Sequence, residues 1–81
     1  MDIHLTVKVY GTLGKHIPAY DPQTGHDVHL ASPSTVADLI ARLGIPPKRV
    51  GLVSVNGRLA RQHDHLPDRA LVKVFHPIFG G

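Results

Sequence analysis

The feature that most constrains the fold of this chain is one amphipathic helix pattern set among segments that alternate as strands do. Its apolar residues are spaced i, i+3, i+4 and i+7 and form a single stripe: Val36, Leu39, Ile40 and Leu43. Thr35 and Asp38 resemble a capping box with Asp in place of Glu, and Gly44 is placed for a left-handed C-terminal cap. We therefore predict one helix over residues 35–43, with one face that must be buried against a sheet.

Strand patterns lie on both sides of this helix. Residues 3–10 alternate apolar and polar side chains, which is typical of an antiparallel strand with one wet face, and residues 26–31 resume the pattern. Between them, residues 11–25 contain Gly and Pro with little periodicity, so we expect a long connection. The two strands should form one layer on which the helix packs.

The second half of the chain predicts a hairpin and a last strand. Asn56 and Gly57 follow residues 52–55 and supply the positive φ angles of a type I′ turn. The last strand, residues 71–76, contains Lys73, which a small core cannot readily bury. We therefore predict that Leu71, Lys73 and Phe75 lie on the wet face as a docking patch and that Val72 and Val74 face the helix. The alternative is the opposite register. Arg58, from the basic cluster of residues 48–73, is a further predicted docking residue.

Composition bounds the function classes. Eighty-one residues suffice for one small α+β domain, and the absence of Cys excludes disulfides and thiolate sites and favours a cytoplasmic protein. The net charge of +3 favours an acidic protein partner, or serves solubility alone, because an aromatic platform for nucleic acid is lacking. No apolar run approaches the ~20 residues of a membrane span, so we expect neither nucleic acid nor membrane as a partner.

Seven histidines suggest a metal site, but their spacing does not support one. His26 and His29 should face opposite sides of a strand, and two His residues without Cys fall short of a closed zinc site. We expect exposed histidines and no metal, with weak zinc binding at His63, Asp64 and His65 as the alternative.

Four segments resemble, in order and spacing, the ubiquitin-like β-grasp sulfur carriers, a family that includes the small subunit of molybdopterin synthase and the thiamine-pathway sulfur carrier. They are the first strand and residues 35–40, 53–57 and 75–81. The resemblance implies a ubiquitin-like β-grasp fold: a mixed sheet of four to five strands with one main helix across one face. It divides the chain into a domain, residues 1–76, and a flexible Gly-Gly tail, residues 77–81.

The resemblance also implies a chemical role for the last residue. Gly81 would be adenylated by an ATP-dependent activating enzyme of the ubiquitin-activating type, and a sulfur donor would then displace AMP to leave a thiocarboxylate. The residues that would thread the partner's site are Pro77, Ile78, Phe79 and Gly80. Glycines without side chains suit a narrow channel, whereas Phe79, which replaces the family's small residue, must be accommodated by the partner.

On this interpretation the chain is a carrier and not an enzyme. It binds no cofactor, because ATP is used by the activating partner, and it can act as the small subunit of a synthase whose large subunit accepts the sulfur. The receiving pathway would be molybdopterin or tungstopterin assembly, or thiamine synthesis. Two alternatives stay open: a ubiquitin-like modifier conjugated through Gly81, and a β-grasp interaction domain with an inert tail.

Overall fold

The fold is a five-stranded mixed sheet with one α-helix, as a computed structural model shows for residues 1–77. The strands are β1 (Asp2–Val9), β2 (His26–Ala31), β3 (Val53–Val55), β4 (Arg58–Ala60) and β5 (Ala70–Val74), and their order in the sheet is β2-β1-β5-β3-β4. The predicted ubiquitin-like β-grasp fold is confirmed. The antiparallel pairing of β1 with β2 agrees with the predicted strand type. The parallel pairing of β1 with β5 was not predicted.

The helix α1 (Val36–Leu43) forms where the apolar stripe predicts it. The Thr35 hydroxyl accepts a hydrogen bond from the Asp38 N–H, and the Asp38 carboxylate accepts one from the Thr35 N–H, so the capping box is complete. Gly44 adopts a left-handed conformation with φ of 75° and ends the helix. Local chemistry therefore sets both ends of α1.

One face of the sheet packs against α1 and forms a single core. The buried side chains of β1, β2, β3 and β5 alternate along each strand and belong to one cluster with the apolar stripe of α1. Leu5 pairs with Ala70 and Val7 with Val72, so the buried positions of the two central strands match across the parallel ladder. The opposite face, which α1 does not cover, is called the open face below.

The connection over residues 10–25 is more ordered than its sequence predicts. It begins with a 3-10 helix (Gly11–His16), and Leu13 and Ile17 are buried in the core. The Tyr20 hydroxyl accepts a hydrogen bond from the Val9 N–H at 2.8 Å and donates one to the Val9 carbonyl at 3.2 Å. A second 3-10 helix (Pro47–Arg49) follows α1, so the prediction of one helix holds for the α-helix alone in the described part of the chain.

A tight turn brings the connection back to the sheet. The Asp21 carboxylate accepts a hydrogen bond from the Gln23 N–H at 2.8 Å, and the Asp21 carbonyl accepts one from the Gly25 N–H. The Gln23 N–H, with a smaller contribution from the Thr24 side chain, lowers the pKa of the Asp21 carboxyl below its usual range because both stabilise the ionised form. The turn fixes where β2 begins.

The loop between β4 and β5 covers the start of α1. The carbonyls of Gln62 and Asp64 accept hydrogen bonds from Ala37 and Val36 at 3.0 Å, which satisfies helix N–H groups that lack a partner within the helix. Leu66 from this loop is buried in the core. Among residues 1–77, no helix has the length and apolar character to cross a membrane.

Candidate functional site

The candidate site begins where the chain leaves the central strand β5. Residues 75–77, here called the tail root, continue the ladder beyond Val74. The Phe75 N–H donates to the Leu52 carbonyl at 2.8 Å, and the Gly51 N–H donates to the Phe75 carbonyl at 2.7 Å. On the other side, the Tyr10 N–H donates to the Val74 carbonyl at 3.0 Å. Hydrogen bonds therefore hold the tail root on the β3 side and the end of β5 on the β1 side.

Two glycines let the tail root pass close to the backbone. A Cβ on Gly51 would lie 2.7 Å from the His76 carbonyl oxygen and 2.8 Å from the Pro77 Cα. A Cβ on Gly11, where φ is +65°, would lie 2.0 Å from the His76 ring. Since only glycine leaves this space free, Gly11 and Gly51 set the position from which residues 78–81 continue.

The open face beside the tail root carries three of the four predicted docking residues. Val72 and Val74 are fully buried, whereas Leu71, Lys73 and Phe75 are partly exposed on the opposite side of β5. The predicted register of the last strand is therefore correct. The structure brings these three side chains into one row, which begins on β5 and ends at Phe75 in the tail root.

Phe75 is packed against an aromatic neighbour. Its ring stacks on that of Tyr10, with the ring centroids 4.7 Å apart and the planes 8° from parallel. Tyr10 follows β1 and is 37% exposed, so the two partly exposed rings form an apolar surface at the tail root. Sequence reasoning missed Tyr10 because the pairing of β1 with β5 joins distant parts of the chain.

Arg58, the fourth predicted docking residue, lies on the other side of the sheet. The two-residue turn pairs Val55 with Arg58, and Val55 pairs with the buried Val72. Leu59 takes the open-face position instead, since it pairs with Ser54, which pairs with Lys73. Leu59 is 72% exposed, and the alternation on either side of Asn56 and Gly57 was the signal that could have identified it.

The histidines are spread over the domain. His26 and His29 face opposite sides of β2, as predicted. His29 stacks on its cross-strand partner His4 at 4.6 Å, and the His4 Nε2 lies 3.3 Å from an Asp27 carboxylate oxygen. Sequence reasoning missed this pair. His63 and His65 are exposed, and residues 1–77 contain no group of three or more side chains placed to hold a metal ion.

Residues 78–81, which carry the threading segment and the reacting group predicted from the sequence, lie outside the described residues. Pro77, the first predicted threading residue, is partly buried against Gly51. Within residues 1–77, the candidate functional site therefore consists of the open face and the tail root.

Comparison with protein-family models identifies the family of this chain. The family model described as Mut7-C ubiquitin matches residues 2–79. The chain belongs to the Mut7-C ubiquitin family. This membership confirms the ubiquitin-like relationship that the sequence resemblance indicated. A search of curated proteins found no match to this Mut7-C ubiquitin chain.

Solved structures with the same fold include small ubiquitin-like proteins of archaea. A protein from Pyrococcus furiosus assigned as molybdopterin converting factor subunit 1 is 20% identical, with 94% of this chain and 99% of that chain covered and a TM-score of 0.72. Small archaeal modifier protein 1 of Haloferax volcanii is 16% identical, with the same coverages and TM-score. A further Haloferax volcanii protein is 21% identical over 99% of this chain and 88% of that chain, with a TM-score of 0.77. At these sequence identities, the likeness shows that this Mut7-C ubiquitin domain and the three solved structures have the same fold.

Proposed function

We propose that this Mut7-C ubiquitin protein is a sulfur carrier whose C-terminal Gly81 is converted to a thiocarboxylate. The observation that carries the proposal is the tail root, which leaves the central strand of a ubiquitin-like sheet between Gly11 and Gly51. The domain, residues 1–76, supplies a fixed base, and residues 77–81 extend at most about 17 Å from it. That length suffices to enter the active site of another protein.

The chemistry requires two steps at the carboxyl group of Gly81. A carboxylate oxygen of Gly81 attacks the α-phosphorus of ATP, and pyrophosphate leaves. A hydrosulfide ion released by the donor then attacks the carbonyl carbon of the acyl-adenylate, the bond to AMP breaks, and loss of the S–H proton leaves the thiocarboxylate without any change of oxidation state. Activation is needed because a free carboxylate is a poor electrophile, and AMP is a good leaving group.

The carrier contributes position, and its partners contribute catalysis. An adenylating enzyme of the ubiquitin-activating type binds the ATP, a sulfur donor supplies the nucleophile, and a synthase large subunit or an equivalent acceptor receives the sulfur in the cytoplasm. Likeness to a protein assigned as molybdopterin converting factor subunit 1 favours molybdopterin or tungstopterin assembly over thiamine synthesis as the receiving pathway. This assignment would make the chain the small subunit of a synthase.

The open face is the docking surface in this proposal. Phe75, Tyr10 and Leu71 provide apolar area next to the tail root, and Lys73 adds a positive charge within it. Exposed aromatic side chains are frequent anchors of protein interfaces. A partner bound here would hold the carrier while residues 78–81 enter its active site.

Variants of the last residue test the proposal. Adding one residue after Gly81, or deleting Gly81, should abolish ATP-dependent thiocarboxylate formation by the cognate activating enzyme. One residue displaces the carboxylate by about 3.3 Å, and a displacement of ~1 Å already lowers such rates about a hundredfold. Gly81→Ala should be strongly impaired, because a methyl group enters a channel shaped for glycine. Thermal unfolding controls for the fold, and normal sulfur loading of the lengthened chain would refute the role of Gly81.

A second candidate function is a protein modifier joined through Gly81 to lysine side chains. The likeness to small archaeal modifier protein 1 favours it. Both functions need the same adenylate and differ in its fate, since one yields a thiocarboxylate and the other an isopeptide bond. Immunoblots of cell extracts distinguish them by the presence of higher-mass conjugates. An inert interaction domain would be unaffected by deletion of Gly80 and Gly81.

A further inference from the structure

A cleft of about 460 Å³ opens beside the tail root. Three separate parts of the chain line it: the first 3-10 helix, the second 3-10 helix and the tail root itself. The lining residues that matter here are Leu13, Lys15, His16, Arg49, His76 and Pro77. Leu13 and Pro77 supply apolar lining, Lys15 and Arg49 supply two cations, and the His76 Nδ1–H donates to the Pro77 carbonyl at 3.0 Å.

The cleft is positively charged and lacks internal compensation. Lys15 and Arg49 are exposed, and none of the six Asp residues of the chain is among the lining residues. Within residues 1–77, the His4 and Asp27 side chains approach each other on the open face, and neither Lys15 nor Arg49 lies within 4 Å of a carboxylate oxygen. The charges of Lys15 and Arg49 are therefore available to an external anion.

We propose that this cleft docks an acidic segment, rich in Asp or Glu, of the protein that receives the tail. This inference rests on the proposed function, because it assigns a second contact to the partner that binds residues 78–81. The partner's chemistry follows from charge complementarity, since acidic side chains are the protein groups that the cations of Lys15 and Arg49 attract.

An acidic segment fits this cleft better than a small free anion does. The cationic side chains are exposed, and an exposed ion pair contributes little because water screens it. A free phosphate would gain only such weak contacts. An acidic segment carries several carboxylates on one chain, so once the first is bound the others reach the cleft at a high effective concentration and several weak contacts add up. The cleft thus orients the carrier about its tail root.

The test uses the full chain labelled with nitrogen-15 and an Asp-hexamer peptide as the probe. The largest amide shifts should fall on residues 12–16, Arg49 and His76. Combining Lys15→Ala with Arg49→Ala should weaken peptide binding about fivefold, as expected for two exposed ion pairs. The matched control, Lys48→Ala with Arg58→Ala, removes the same charges from exposed residues outside the cleft and should weaken binding less than twofold.

Each alternative outcome overturns the proposal. Shifts spread over the whole basic surface, or an equal loss in the control variant, would show non-specific attraction. Tighter binding of inorganic pyrophosphate than of the peptide, at the same residues, would make the cleft a phosphate site. Because no activating enzyme is used, failure of this test is distinct from failure of the proposed function, which sulfur loading measures separately.

Discussion

Gly51→Ala is expected to displace the tail root without changing any group that takes part in chemistry. The new Cβ would lie 2.7 Å from the His76 carbonyl oxygen, whereas ordinary contact begins at 3.4 Å. The atoms that it meets are backbone, so the tail root must move by about 0.7 Å, and such overpacking lowers the free energy of unfolding by about 1–3 kcal/mol. A shift of this size should slow sulfur loading roughly tenfold to a hundredfold, since misplacement by ~1 Å costs about two orders of magnitude.

The assay combines chemical denaturation with ATP-dependent thiocarboxylate formation. Gly44→Ala is the matched control: its φ of +75° makes alanine unfavourable by about 1–2 kcal/mol, yet no atom lies within 4 Å of the new Cβ. The control should lose stability and keep its loading rate. Equal loading by the two variants would refute the claim that Gly51 positions the tail.

Three further predictions follow from the described contacts. Phe75→Ala should lower the free energy of unfolding by about 1–2 kcal/mol, because a partly exposed ring loses less than a core Phe, and should weaken partner binding measured by calorimetry; unchanged binding would exclude the open face as the docking surface. Arg69→Gly should raise the thermal midpoint, because Arg69 adopts φ of 63°, which is unfavourable for a residue with a Cβ by about 1–2 kcal/mol; a lower midpoint would contradict this reading of the turn. Thr35→Ala should cost about 0.5–2 kcal/mol in chemical denaturation through loss of the capping box, and a neutral result would show that Asp38 alone caps α1.

The parts of the fold that could be predicted are those set by local chemistry. The helix follows from its apolar stripe, with Thr35 and Gly44 at its ends. The hairpin follows from Asn56 and Gly57, which have φ of 52° and 85°. The register of β5 followed from Lys73, because burying a charge is unfavourable enough to fix which face is wet.

The parts that could not be predicted depend on contacts between distant residues. Leu13 is buried within a 3-10 helix and Ile17 directly after it, and so short an element produces no periodic pattern. The approach of the tail root to Gly11 and Gly51 arises from tertiary packing, and a sequence shows two glycines without showing what passes beside them. Arg58 and Leu59 are an intermediate case, because the turn type already determines their faces.

The measurement that tests the central claim most directly is the intact mass of the protein purified from its own cells. If the chain is a sulfur carrier, a fraction of the molecules will end at Gly81 and show the mass increase expected for one oxygen replaced by sulfur, and fragmentation will place that increase on Gly81. Treatment with an alkylating reagent selective for thiocarboxylates should then shift the same fraction. A mature protein that continues beyond Gly81, or one that ends there without sulfur while the activating enzyme and the sulfur donor are active, would contradict the account.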